Sequence, residues 1–141
     1  KQVRQWNPHL SLRRWVGTDG FLQSSWMHID LTEVEFNSGG RFGPDVNIYT
    51  EGLQRPFTIA PGIVLPPGQY RFTVPGIDWG SDPSAPLSFL ARLEAGEFYT
   101  GTRSGANVSV TARAGAVFSS SLVVDYQDSL LHGVSSCECD E

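Results

Sequence analysis

The residues Asn107 to Gln127 constrain the fold of this chain more than any other stretch. Val108, Val110 and Ala112 alternate with Asn107, Ser109, Thr111 and Arg113. Beyond them, Phe118, Leu122, Val124 and Tyr126 alternate with Ser119, Ser121, Asp125 and Gln127, with Val123 out of place. A period of two puts every apolar side chain on one face of a strand. With Gly115-Ala116-Val117 as a three-residue hairpin loop, Ala114 faces Phe118, Val110 faces Leu122, Val108 faces Val124 and Asn107 faces Asp125. Apolar then meets apolar and polar meets polar along the whole pair, as a ladder with one greasy face requires.

The same alternation runs through the rest of the chain. Seven strands are expected: Gln5–Val16, Phe21–Asn37, Phe42–Thr50, Gln69–Val74, Leu87–Tyr99, Asn107–Arg113 and Phe118–Gln127. Gly17-Thr18-Asp19-Gly20 and Asn37-Ser38-Gly39-Gly40 are turns. In the second strand Met27, Ile29 and Leu31 share a face, but after Glu33 the apolar parity passes to Val34 and Phe36, which predicts a bulge. The segment Glu51 to Gly68 holds four prolines and three glycines, and reads as irregular. Pro75-Gly76 and Ser81-Asp82-Pro83-Ser84 punctuate the way to the fifth strand. No helical period is sustained anywhere.

Both a soluble β-sandwich and a barrel wall bury one face of each strand. Three features favour the wall. The second and fifth strands span roughly 13–17 residues, longer than the ~5–6 of ordinary sheets. The polar face carries charges of both signs (Arg92, Glu94, Arg113, Asp125), which suits a hydrated lumen. Trp15, Phe21, Phe98, Tyr99, Phe118 and Tyr126 lie near strand ends, where amphipathic rings settle at a membrane boundary. The fold expected is therefore all-β: an antiparallel up-and-down meander of about seven strands over residues 1–133. It would form part of an outer-membrane-type β-barrel, as an incomplete barrel or curved open sheet, with a disordered acidic tail over 134–141. Lys1 to Trp6 lack the apolar core of a signal peptide, so an exported protein would carry its leader upstream of this sequence.

Charge and motifs exclude other classes. A net charge of −5 with scattered basic residues does not make a phosphate-binding face, so no nucleic-acid partner is expected. His9, His28 and His132 read as isolated, and Cys137 and Cys139 supply at most two soft ligands in the tail, so no metal and no cofactor is expected. Glu94 and Glu97 fall on opposite faces of a strand and cannot act as a carboxylate pair; Asp30 and Glu33 fail likewise unless the bulge brings them together. Asn107-Val108-Ser109 fits a glycosylation sequon but lies on a strand. No nucleophile elbow, phosphate loop or dinucleotide fingerprint occurs, so no catalytic residue and no enzyme activity is expected.

The stretch from Leu53 to Thr73, with its Ile-Ala-Pro-Gly-Ile-Val-Leu-Pro-Pro-Gly-Gln-Tyr-Arg core, resembles the segment "EPFEIAPGVVIPPGRYRFTR" of a bacterial family of uncharacterised proteins. Glu35 to Phe42 resembles its "FENGDRF" hairpin, Ala85 to Ser88 its "RPLS" strand opening, and Glu97 to Gly101 its "GGFYDG". The likeness covers roughly Leu22 to Gly133. It implies the C-terminal, barrel-like region of proteins whose N-terminal domain resembles a carbohydrate-binding β-sandwich. The implied setting is the bacterial outer membrane, with lipid as partner and carbohydrate bound only through the domain absent here. The family supplies no catalytic residues for this region. Val74-Pro75-Gly76 departs from its continuing strand and predicts a shortened or bent fourth strand, and the final Cys-Glu-Cys-Asp-Glu lacks a terminal aromatic. The rival expectation is a soluble carbohydrate-binding β-sandwich, with Trp6, Trp15, Trp26 and Trp79 including platforms for sugar rings.

Overall fold

A computed structural model describes residues 2–30, 32–115 and 117–131; the tail with both cysteines, and His132, lie outside the described residues. The strands, in chain order, are β1 (Val3–Trp6), β2 (His9–Val16), β3 (Leu22–Asp30), β4 (Val34–Phe36), β5 (Arg41–Leu53), β6 (Phe57–Ala60), β7 (Ile63–Leu65), β8 (Gly68–Gly80), β9 (Leu87–Phe98), β10 (Gly101–Ala114) and β11 (Phe118–Leu130). Nine of them form one antiparallel sheet, and β6 pairs with β7 separately.

The connectivity is the expected meander. Strands β1 and β2 are two halves of one long strand, and β3 and β4 are two halves of the next: β1 pairs with β4, and β2 with β3. Both breaks sit at the same level. Pro8 removes a donor in the first, while the neighbouring Asn7 N–H donates to the Glu33 carbonyl at 2.9 Å. In the second, the Asp30 carboxylate accepts from the Thr32 and Glu33 N–H groups at 3.1 and 2.9 Å. This is the irregularity that the parity switch at Glu33 foretells. From β5 onward each strand pairs with the next long one in sequence, and the sheet does not close into a barrel.

The last hairpin has the register read from the sequence. Ala114 faces Phe118, Val110 faces Leu122, Val108 faces Val124 and Asn107 faces Asp125. Gly115 takes a φ of 65° at the loop, where a side chain would be strained. Both strands run longer than expected, because Gly101–Ala106 and Asp128–Leu130 pair despite lacking alternation.

Two expectations need correction. The fourth strand is neither shortened nor ended at Pro75-Gly76: β8 runs unbroken from Gly68 to Gly80, paired with β5 along its whole length. Its ladder with β9 covers only Gly76–Gly80 and stops at Pro75, the residue with no N–H to give. Beyond that point β9 stays close through Gly96, where an added Cβ would lie 2.3 Å from the Thr73 carbonyl oxygen. The segment Glu51–Gly68 is not irregular throughout either. Strand β5 extends to Leu53, and β6 and β7 form a small hairpin turning at Gly62. Within it Leu65 is fully buried, and the Tyr70 hydroxyl donates to the Pro66 carbonyl at 2.8 Å. Prolines at Pro56, Pro61, Pro66 and Pro67 flank these short strands instead of interrupting them.

Candidate functional site: two unlike faces of one sheet

The chemistry of the sheet divides by face. Along β5, Gly43, Asp45 and Asn47 are buried while Phe42, Pro44, Val46 and Ile48 are not; along β8, Phe72, Val74, Gly76 and Gly80 are buried while Pro75, Ile77 and Trp79 face out. Ladder partners continue both sets across the sheet.

The buried side holds Phe72 and Val74 beside a connected set of polar side chains. The Arg92 guanidinium grips Asp45 with two bonds, at 2.9 and 3.2 Å, and also binds Asp78. It crosses β8 to do so, over Gly76, where a Cβ would lie 3.0 Å from the guanidinium. Glu94 lies 3.7 Å from Arg92 Nε and 3.1 Å from Arg103 Nη2. Arg103 covers the Tyr49 and Phe98 rings at 5.4 and 5.6 Å. On the other flank Asn47 donates to Asp45 at 2.6 Å and accepts from the Trp26 indole at 2.9 Å. Asp45, with its side chain 1% exposed, thus sits inside a charge-assisted web reaching from β3 to β10.

The opposite side is apolar and bare. Leu93 is 51% exposed, Leu122 67%, Val124 56% and Val110 37%. Leu10, Leu12, Phe42, Ile77, Trp79, Leu87, Phe118 and Tyr126 are exposed beside them. No second sheet covers this face among the described residues.

Parity sorts the acidic candidates as read from the sequence at one pair and not at the other. Glu94 lies in the polar web, while Glu97 points to the other side and accepts the Thr73 N–H at 3.0 Å. Asp30 and Glu33, however, line one cavity because the break between β3 and β4 resets the parity. His9 and His28 are not isolated: their rings lie 4.9 Å apart, beside Asp30. The signal was present in the sequence but needed the β2–β3 register, which sets His9 opposite Asp30 and both on the side of His28. The aromatic expectation also divides. Trp15, Phe118 and Tyr126 are exposed, but Phe98 and Tyr99 join Phe72 and Tyr70 in a cluster with centroids 5.0–5.7 Å apart. Of the tryptophans, Trp26 lies in the polar web, with Trp15 on the same face, and Trp79 lies on the apolar side, edge-on to Phe89 at 5.1 Å.

No family model matches the chain, and no significant match was found among curated proteins or solved structures. No helix long and apolar enough to cross a membrane occurs among the described residues, which bears on helices alone.

Proposed function

We propose that this chain is a section of the wall of an outer-membrane β-barrel, with its apolar face against lipid and its polar face lining the interior, and without a catalytic role. The observation that carries this reading is the slant of the apolar band. Pro44, Ile77, Leu93, Ala106 and Tyr126 form one row of ladder partners. Moving along each strand toward the polar boundary, the first polar side chain on that face comes at Thr50, Thr73, Glu97, Ser104 and Asp128. Those lie six, four, four, two and two residues from the row. At the other boundary the apolar run ends at Phe42, Trp79, Leu87, Ala114 and Phe118, shifted the same way.

Between β5 and β11 the boundary drifts four residues over four strand steps, while Ser25 on β3 and Arg14 on β2 lie level with Thr50. At ~3.4 Å per residue and ~4.8 Å per strand, the band lies at about 35° to the ladder rows. Strands of outer-membrane barrels tilt by about 35–45° to the membrane normal, so a level hydrocarbon slab would trace this diagonal. A face covered by a second sheet has no such requirement. The exposed Ser120 is the one polar residue inside the band on β11.

The filled polar side supports the same reading. Barrels of about eight strands have interiors just wide enough for side chains to occupy, and here paired charges occupy that space. The resemblance of the Leu53–Thr73 segment to a barrel-bearing bacterial family supports the same reading, with a bacterial outer-membrane setting.

Site-directed fluorophores test the proposal after refolding into vesicles of phosphatidylcholine with brominated acyl chains. Probes at Leu93, Val110 and Leu122 are expected to be quenched strongly, and probes at Ser109, Thr111 and Asp125 weakly. Equal quenching of both sets, or complete folding in plain buffer without lipid or detergent, would refute it.

A further inference from the structure

We infer that His9, His28 and Asp30 form a binding site for a divalent transition metal of the Zn²⁺ type on the polar face. One ligand atom from each of the three residues lies within 4.8 Å of the others. Two imidazoles and one carboxylate are the donor set that borderline ions such as Zn²⁺ take, with further positions open to water.

The side chains around these three prepare them for that role. The Trp26 indole can only donate, so the Asn47 atom it meets at 2.9 Å is the amide oxygen. That same oxygen lies 2.9 Å from His28 Nδ1, which must therefore carry the hydrogen. A neutral His28 then holds its lone pair on Nε2, the tautomer that a second-shell acceptor fixes in metal sites. Asp45 Oδ1, 3.8 Å from the same Nδ1, reinforces the choice. Asp30 is oriented as well: its Oδ1 accepts two backbone N–H bonds, leaving Oδ2 for a ligand.

The three residues open onto a cavity of about 190 Å³ that Glu33, Arg41 and Asp78 also line. Such a space holds an ion with its waters, and Glu33 supplies a second carboxylate at its wall. Tetrahedral coordination at ~2.0–2.2 Å needs the ligand atoms closer than they stand, by about 1–2 Å. His9 is exposed at the edge of the sheet and can supply that movement. The site uses only the polar face, so it does not depend on what covers the apolar one.

The test uses the full chain with Cys137→Ser and Cys139→Ser, which removes the competing thiols, folded in whichever medium supports it. Calorimetric titration with Zn²⁺ is expected to show one saturable equivalent. His9→Ala and Asp30→Asn should each weaken it about tenfold or more, with circular dichroism unchanged. His ring resonances in NMR should shift for His9 and His28 together on adding Zn²⁺, and not on adding Mg²⁺. Absence of saturable binding by the folded chain would overturn the inference. So would binding that survives both substitutions undiminished. A Mg²⁺ response equal to that of Zn²⁺ would overturn the assignment to a borderline ion.

Discussion

At the scale of single residues, the polar web carries the sharpest expectations. Asp45 is buried and held by Arg92 and Asn47. Removing one member of a buried ion pair strands the other, at a cost of about 3–5 kcal/mol. Asp45→Ala is therefore expected to lower the unfolding free energy in urea by about 3 kcal/mol or more, and Asp45→Leu with Arg92→Met to lower it by much less. Additive losses in the double variant would show that the two side chains act separately. Tyr99 gives a second expectation. It sits in the β9–β10 turn with a φ of 49°, where burial first, and then the charge of Glu51, push its hydroxyl above the ordinary tyrosine range. A raised folded pKa favours the neutral ring. Its contribution to stability is thus present below the unfolded tyrosine range and is lost as pH climbs through the raised value. Absorbance at 295 nm, compared with Tyr99→Phe, should show this phenol ionising above the range of a free tyrosine side chain. Ionisation within the free tyrosine range would contradict the burial argument. Asp45 looks like an ordinary strand residue until Gly76 is placed against it, and Tyr99, expected from the sequence at a membrane boundary, instead packs against Phe72.

At the scale of elements, legibility followed alternation. The β10–β11 hairpin was readable down to its partners because the alternation of Asn107–Arg113 against that of Phe118–Gln127 leaves a single register that keeps both faces consistent. Strand β8 was misread because Pro75 looks like a terminator when only composition is considered. What decides is which edge lacks a partner at that residue, and the ladder with β9 ends there. The histidine cluster escaped for a related reason: His9 and Asp30 are 21 positions apart in the chain and meet only through pairing. The β8–β9 junction also yields an expectation. Because a side chain at Gly96 would collide with the backbone at Thr73 and Val74, Gly96→Val should destabilise by about 1–3 kcal/mol and part these strands. Hydrogen exchange would report faster exchange in Phe72–Val74, with β10–β11 unaffected. Unchanged protection on both sides would mean that the two backbones have room to separate.

At the scale of the whole molecule, the open edges matter most. Among the described residues β11 pairs only with β10, and β2 only with β3. Strand β11 is thirteen residues long and exposed throughout, which is the profile of an edge that recruits another strand. The refolded chain is accordingly expected to associate as its concentration rises in sedimentation experiments. A single monomeric species at every concentration would show that this edge is protected. The slanted band also limits which strand can join. From β5 to β11 each step moves the greasy stretch along by about one residue on average, so an added neighbour at β11 must start further along than its host. A ring completed from this arc would bring its last member back to β2 several residues out of step. Closure would have to absorb that offset as a helical stagger; a flush seam would break the belt.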